Sequence, residues 1–187
     1  NICNKDNTIP YLQIPNKSFN NPVHFQLVKC ENCNFIYLNP RIPHNDIGKY
    51  YNKDYFPYLK KNFFYSSIQF FLFRWKRFII ELFKKNGKII DIGSGNDNFI
   101  NYMRNCRWSA DSFDEFNLST FNDISECKNK YYDVVTLWHS IEHIHDIDKF
   151  LIKISRILKH DGILVIACPN INSIDSKLLD TKWIAYD

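Results

Sequence analysis

Lys88-Ile89-Ile90-Asp91-Ile92-Gly93-Ser94-Gly95 is a short apolar run that ends in a glycine-spaced loop. The run predicts a buried strand over Lys88–Ile92. Glycines after a strand leave the backbone bare, so a ligand can approach where a Cβ would block it. After Asp97-Asn98 the residues Phe99, Ile100, Met103 and Cys106 fall at i, i+1, i+4 and i+7, one face of a helix. A helix starting there aims free N–H groups at whatever occupies the loop. Ser109–Phe113 reads as a weak second strand, and Asp114 at its end follows Gly95 by 19 residues. A carboxylate in that place accepts the two hydroxyls of a ribose.

Further along, Tyr132-Asp133-Val134-Val135-Thr136-Leu137-Trp138 is rich in β-branched and aromatic residues and predicts a strong strand. Ile147, Phe150, Leu151, Ile154, Ile157 and Leu158 then mark an amphipathic helix. Asp146 is placed to cap its start, and Gly162 to supply a left-handed residue past its end. Ile163-Leu164-Val165-Ile166-Ala167-Cys168 is a continuous apolar run closed by Pro169. Such strands alternating with helices predict a doubly wound, Rossmann-like α/β domain with a mostly parallel sheet, and ligands bind at the carboxyl ends of its strands.

Two ligand classes fit a glycine loop of this kind. The dinucleotide fingerprint needs a third glycine, and that position is Asn98. A nicotinamide-dependent oxidoreductase is therefore the weaker reading. Asp91, two residues before the first glycine, points instead to a ligand with a cationic end. Lys88–Phe99 resembles motif I of the class I S-adenosylmethionine-dependent methyltransferases. Tyr132–Asn170, including His139-Ser140-Ile141-Glu142-His143 and Lys159-His160-Asp161-Gly162, resembles the later motifs of that family. Within it, the resemblance is to the subgroup with an N-terminal cysteine-rich zinc module, which includes sugar C-methyltransferases.

The resemblance implies methyl transfer from S-adenosylmethionine to a small-molecule acceptor. It implies that Asp91, Gly93 and Gly95 hold the methionine end of the cofactor, that Asp114 holds the ribose, that Asp123 sits near the adenine, and that Trp138 and His139 line the pocket. Two departures set further expectations. Asp97 stands where the family usually has glycine, so its carboxylate is expected to crowd that of the cofactor. The 18 residues between Asp114 and Asp133 are too few for the usual helix and strand in full, so the adenine side is expected to be incomplete. A degenerate, non-catalytic protein of the same fold is the competing reading.

Residues 1–45 are Asn- and Pro-rich, with strand-like runs flanking Cys30-Glu31-Asn32-Cys33. Thiolates at this spacing chelate one ion, and Cys3 is expected to join Cys30 and Cys33 in a structural zinc site, with His24 or water completing it. Free, reduced cysteines are the alternative. His139 and His143 are candidate bases that take a proton from the acceptor; capping and packing are the plainer role. The pair is not a zinc-protease motif, because Glu142 directly precedes the second histidine. The aromatic stretch Phe63–Phe83 predicts a helix packed against the sheet, with attachment to a membrane surface as the less favoured alternative.

The domain reading is a cysteine-rich module over 1–45, a connecting helical segment over 46–86 and a cofactor-binding domain over 87–187, incomplete at its C-terminus. The chain begins at Asn1 and breaks off after Trp183-Ile184-Ala185-Tyr186-Asp187, so both ends are expected to be cut. With 187 residues, 45% hydrophobic and 24% charged, it reads as globular. A net charge of +4 gives no indication of nucleic acid. Neither a secretory signal nor an uncharged span of membrane length is visible, and the scattered cysteines fit a reducing cytoplasm.

Overall fold

The computed structural model describes residues 2–3, 5–15, 24–43, 46, 63–114, 121, 123–183 and 185–186. In chain order its elements are β1 (Thr8–Pro15), β2 (His24–Cys30), β3 (Ile36–Leu38), α1 (Phe63–Glu81), β4 (Lys88–Ile92), α2 (Asn98–Asn105), β5 (Ser109–Phe113), β6 (Tyr132–Trp138), α3 (Ile147–Ile157), β7 (Leu158–Ala167) and α4 (Ile174–Leu179). They form two compact units, Asn1–Asn52 with Pro169–Asp187 and Lys53–Cys168.

The larger unit holds a four-stranded sheet in the order β5-β4-β6-β7, parallel throughout. Alternating residues of the two central strands face opposite layers, as the two-residue period of a strand requires. Ile89 and Val134 pack with Phe99, Ile100 and Met103 of α2 and Ile80 of α1. Ile90 and Val135 pack with Phe150, Ile154 and Ile157 of α3. Helices thus cover both faces, which is the doubly wound α/β architecture that the continuous apolar strands imply. The chain leaves β4 toward β5 on one side and returns to β6 on the other. The strand order therefore reverses between β4 and β6, opening a crevice at their carboxyl ends.

Three local expectations are corrected. Gly162 is not left-handed, and it does not terminate the helix. α3 ends at Ile157, and β7 begins at once. Tyr132 pairs with Leu158 and Val134 with Ile163, so β7 takes five steps against two in β6. Glycine is needed in that excursion because a Cβ would lie 3.0 Å from both Tyr132 O and Lys159 O. Second, β1 was not anticipated. It carries Pro10 and Pro15, which an edge strand tolerates, and its register shifts between Pro10 and Leu12. Third, α1 is only partly a packing helix. Phe73 and Ile80 join the core, whereas Phe71, Trp75 and Phe78 are exposed. As expected, Asp146 caps α3, accepting from the Lys149 N–H at 3.1 Å.

Between β5 and β6 the described residues contribute a single parallel bridge, Phe113 to Phe121, and a 3-10 turn over Ile124–Glu126. No helix among the described residues is long and apolar enough to cross a membrane.

The smaller unit contains the antiparallel sheet β1-β2-β3 and α4. Trp183 is buried there, its indole N–H donating to Asp175 at 2.8 Å.

Candidate functional site

The loop after β4 turns through three left-handed residues, Gly93 (φ 74°), Gly95 (φ 60°) and Asp97 (φ 55°). Gly93 is required for space as well as for handedness. An added Cβ would lie 2.5 Å from that of Ser140, whose hydroxyl donates to Ile92 O at 2.7 Å. At Gly95 an added Cβ would meet nothing within 4 Å. That side of the loop is open, and a ligand can lie against bare backbone there.

Three carboxylates surround the loop. Asp91 is buried at 4% exposure and accepts the Thr136 hydroxyl at 2.6 Å. Burial pushes its pKa up to about 7, against the opposing effects of the Thr136 hydrogen bond and the Lys76 charge; Asp97 and Asp114 add to the rise. Asp114 accepts the Gly95 N–H at 2.7 Å, so the strand β5 delivers its terminal acid onto the loop. Asp97 accepts the Ser94 hydroxyl at 2.7 Å and the Ser112 hydroxyl at 3.0 Å, one on each oxygen. The acid expected to crowd a ligand is held in place by two hydroxyls of the protein. Its left-handed backbone is the conformation a glycine would take there, and aspartate is among the few other residues that tolerate it.

β6 brings a second group to the same crevice. Trp138 packs edge-on against Phe99, with centroids 6.0 Å apart. Its indole nitrogen is buried and has no hydrogen-bond partner among the described residues. His139 also has a positive φ, 56°, and its side chain is 66% exposed. Partial burial and the Lys76 charge lower its pKa, which favours the neutral imidazole. Its Nδ1 stands 3.9 Å from Glu142.

The structure therefore gathers Asp91, Gly93, Gly95 and Asp114 at the ends of β4 and β5, and places Trp138 and His139 at the end of β6. It does not bring Asp123 to the loop by any hydrogen bond. That carboxylate is exposed and caps the turn Ile124–Glu126 by accepting the Ser125 N–H at 2.6 Å. His143 ends the 3-10 turn Ile141–His143, its N–H donating to Ser140 O.

Sequence reasoning missed Lys76. Its ammonium lies 4.6 Å from the Trp138 ring centroid and 5.2 Å from that of Phe99. Burial lowers its pKa, and Asp91 acts in the opposite direction. Lys76 falls three residues after Phe73 and four before Ile80, on the packed stripe of α1, which only the structure distinguishes from the rest of the apolar helix. A lysine on that stripe has to reach something polar. Thr136, which faces Asp91, was also missed inside an otherwise ordinary strand.

The second cluster lies in the smaller unit. The sulfurs of Cys3, Cys30 and Cys33 are all within 4.8 Å of one another, with Cys3 and Cys30 3.5 Å apart. Cys30 ends β2. A tight turn follows, closed by Asn34 N–H to Cys30 O and Cys30 N–H to Phe35 O, both 2.9 Å, with Asn34 left-handed. This turn brings Cys33 back to Cys30. Backbone N–H groups, that of Cys33 foremost, hold the Cys30 thiol down at about 7. The His24 side chain lies outside the described residues.

A shallow cleft lined by Arg77, Lys85, Gly87, Lys88 and Arg107 opens at the amino ends of β4 and β5, the opposite end of the sheet from the glycine loop. It holds none of the candidate site residues.

Residues 66–187 match a family described as a methyltransferase domain. No curated protein matches the chain.

Proposed function

The chain belongs to the methyltransferase-domain family, and from that premise we propose that it transfers the methyl group of S-adenosylmethionine to a small-molecule acceptor, a sugar or related metabolite. The observation that carries this reading is the glycine loop ringed by Asp91, Asp97 and Asp114. Three carboxylates around one open backbone turn favour a ligand with cationic groups over an anionic pyrophosphate.

When bound, S-adenosylmethionine supplies a methyl group on a sulfonium, which needs little activation, so the protein contributes orientation and at most one base. Asp91 is suited to an ammonium group: a cation beside it offsets the cost of ionising a buried carboxylate. Gly95 offers room, and Asp114 is placed to exchange the Gly95 N–H for ribose hydroxyls. His139, largely exposed and with a lowered pKa, can take the proton that a hydroxyl or amine acceptor loses; His143 is the second candidate.

We assign Cys3, Cys30 and Cys33 to a structural zinc site. Three thiols converging on one point, one of them with a depressed pKa, have the chemistry for it. A cytoplasmic setting agrees with six unpaired cysteines.

Isothermal titration of the full chain with S-adenosylmethionine tests the reading. Asp91→Ala and Asp114→Ala are each expected to weaken binding by about 1–3 kcal/mol, as lost charged hydrogen bonds do; unchanged affinity in both would remove their assigned roles. The competing reading is a non-catalytic protein that keeps the fold. The short interval of 18 residues between Asp114 and Asp133 favours it, and binding with no methyl transfer to any acceptor would support it.

A further inference from the structure

The ammonium of Lys76 is largely shut away from solvent on the packed stripe of α1, and it makes no ion pair with any described residue. Its close neighbours are two aromatic faces, Trp138 and Phe99. Aromatic faces attract a cation but do not replace the hydration an ammonium loses on burial. The ring beneath it carries a second unmatched donor, the buried Trp138 indole N–H. Buried donors are nearly always paired, so two beside each other call for an acceptor that joins them. Asp91 acts on this ammonium electrostatically, and one of its two oxygens accepts the Thr136 hydroxyl.

We propose that Lys76 and the Trp138 indole N–H receive the α-carboxylate of the cofactor, opposite Asp91, which receives its α-ammonium. A lysine of α1 and an acid of β4 that act on each other electrostatically are complementary to a zwitterionic amino-acid end. This assignment rests on the S-adenosylmethionine reading. It makes Lys76 a binding residue contributed by the helix that precedes the sheet.

The test compares S-adenosylmethionine with decarboxylated S-adenosylmethionine, which lacks only that carboxylate, by calorimetric titration of the full chain. The native protein is expected to prefer the carboxylated ligand by about tenfold or more, the scale of one charged hydrogen bond. Lys76→Met, which keeps the apolar stem, should abolish the preference and weaken the carboxylated ligand far more than the decarboxylated one. Lys76→Arg should retain the preference. If the native protein binds both ligands equally, or if Lys76→Met still prefers the carboxylated one, this assignment is overturned while the cofactor reading stands. Equal loss of both ligands in Lys76→Met and Lys76→Arg overturns it too, because Lys76 then supports the cradle as a whole. If the native protein binds neither ligand, the cofactor reading itself fails.

Discussion

At the residue scale the acids of the loop differ in what they cost. Asp91 is buried, and its folded pKa of about 7 lies above the value of 3.8 for an unperturbed aspartate. Folding therefore takes up a proton between about pH 4 and pH 7, and stability falls as pH rises through that window. Asp91→Asn keeps an acceptor for Thr136 and removes the charge. It is expected to stabilise the ligand-free protein at pH 8, by on the order of 4 kcal/mol, seen as a higher melting temperature, and to leave it unchanged near pH 4. The same variant should lose affinity for the cofactor. A melting temperature unchanged at pH 8 would show that Asp91 is not the strained group described. The position of Asp91 was legible because strand, acid and glycines are neighbours in sequence. What holds Asp97 was not, since Ser112 lies 15 residues away and meets it only when β5 pairs with β4.

At the scale of elements, the loop depends on its two glycines in different ways. Gly93→Ala meets a positive φ and the side chain of Ser140 together, so it is expected to cost about 2–4 kcal/mol in chemical denaturation. Gly95→Ala meets only the positive φ and should cost about 1 kcal/mol, while still obstructing the ligand. Equal stability losses would contradict the open cradle at Gly95. The parallel strands were readable because burial on both faces leaves unbroken apolar runs. β1 was not, because its prolines are strand breakers everywhere except at an edge or a bulge, and only pairing with β2 reveals that it is both. Gly162 misled for a related reason: a glycine after a helix suits a left-handed cap, but here it meets the carbonyl of Tyr132 on the neighbouring strand. Lys76 was hidden likewise, as α1 shows an apolar pattern around most of its circumference and the packed stripe emerges only against α2.

At the scale of the molecule, the glycine loop belongs to the larger unit and the three-cysteine cluster to the smaller one. If the thiols of the smaller unit hold zinc, the purified protein should contain close to one equivalent by elemental analysis, and Cys30→Ser should lose most of it. Full occupancy in Cys30→Ser would exclude that ligand set. Residues 169–187 cluster with the amino-terminal unit; no local periodicity announces such a long-range association, whereas the alternation of strands and helices through the larger unit announces its fold directly. The exposed Phe71, Trp75 and Phe78 on α1 are expected to promote self-association, which Phe71→Lys should reduce in sedimentation velocity without lowering thermal stability. One titration tests most directly whether the crevice between β4 and β6 holds the cofactor. S-adenosylhomocysteine added to the full chain should bind saturably, one per chain, and Asp114→Ala should weaken it about tenfold. No detectable binding to the native chain, or identical binding to the variant, would contradict the account.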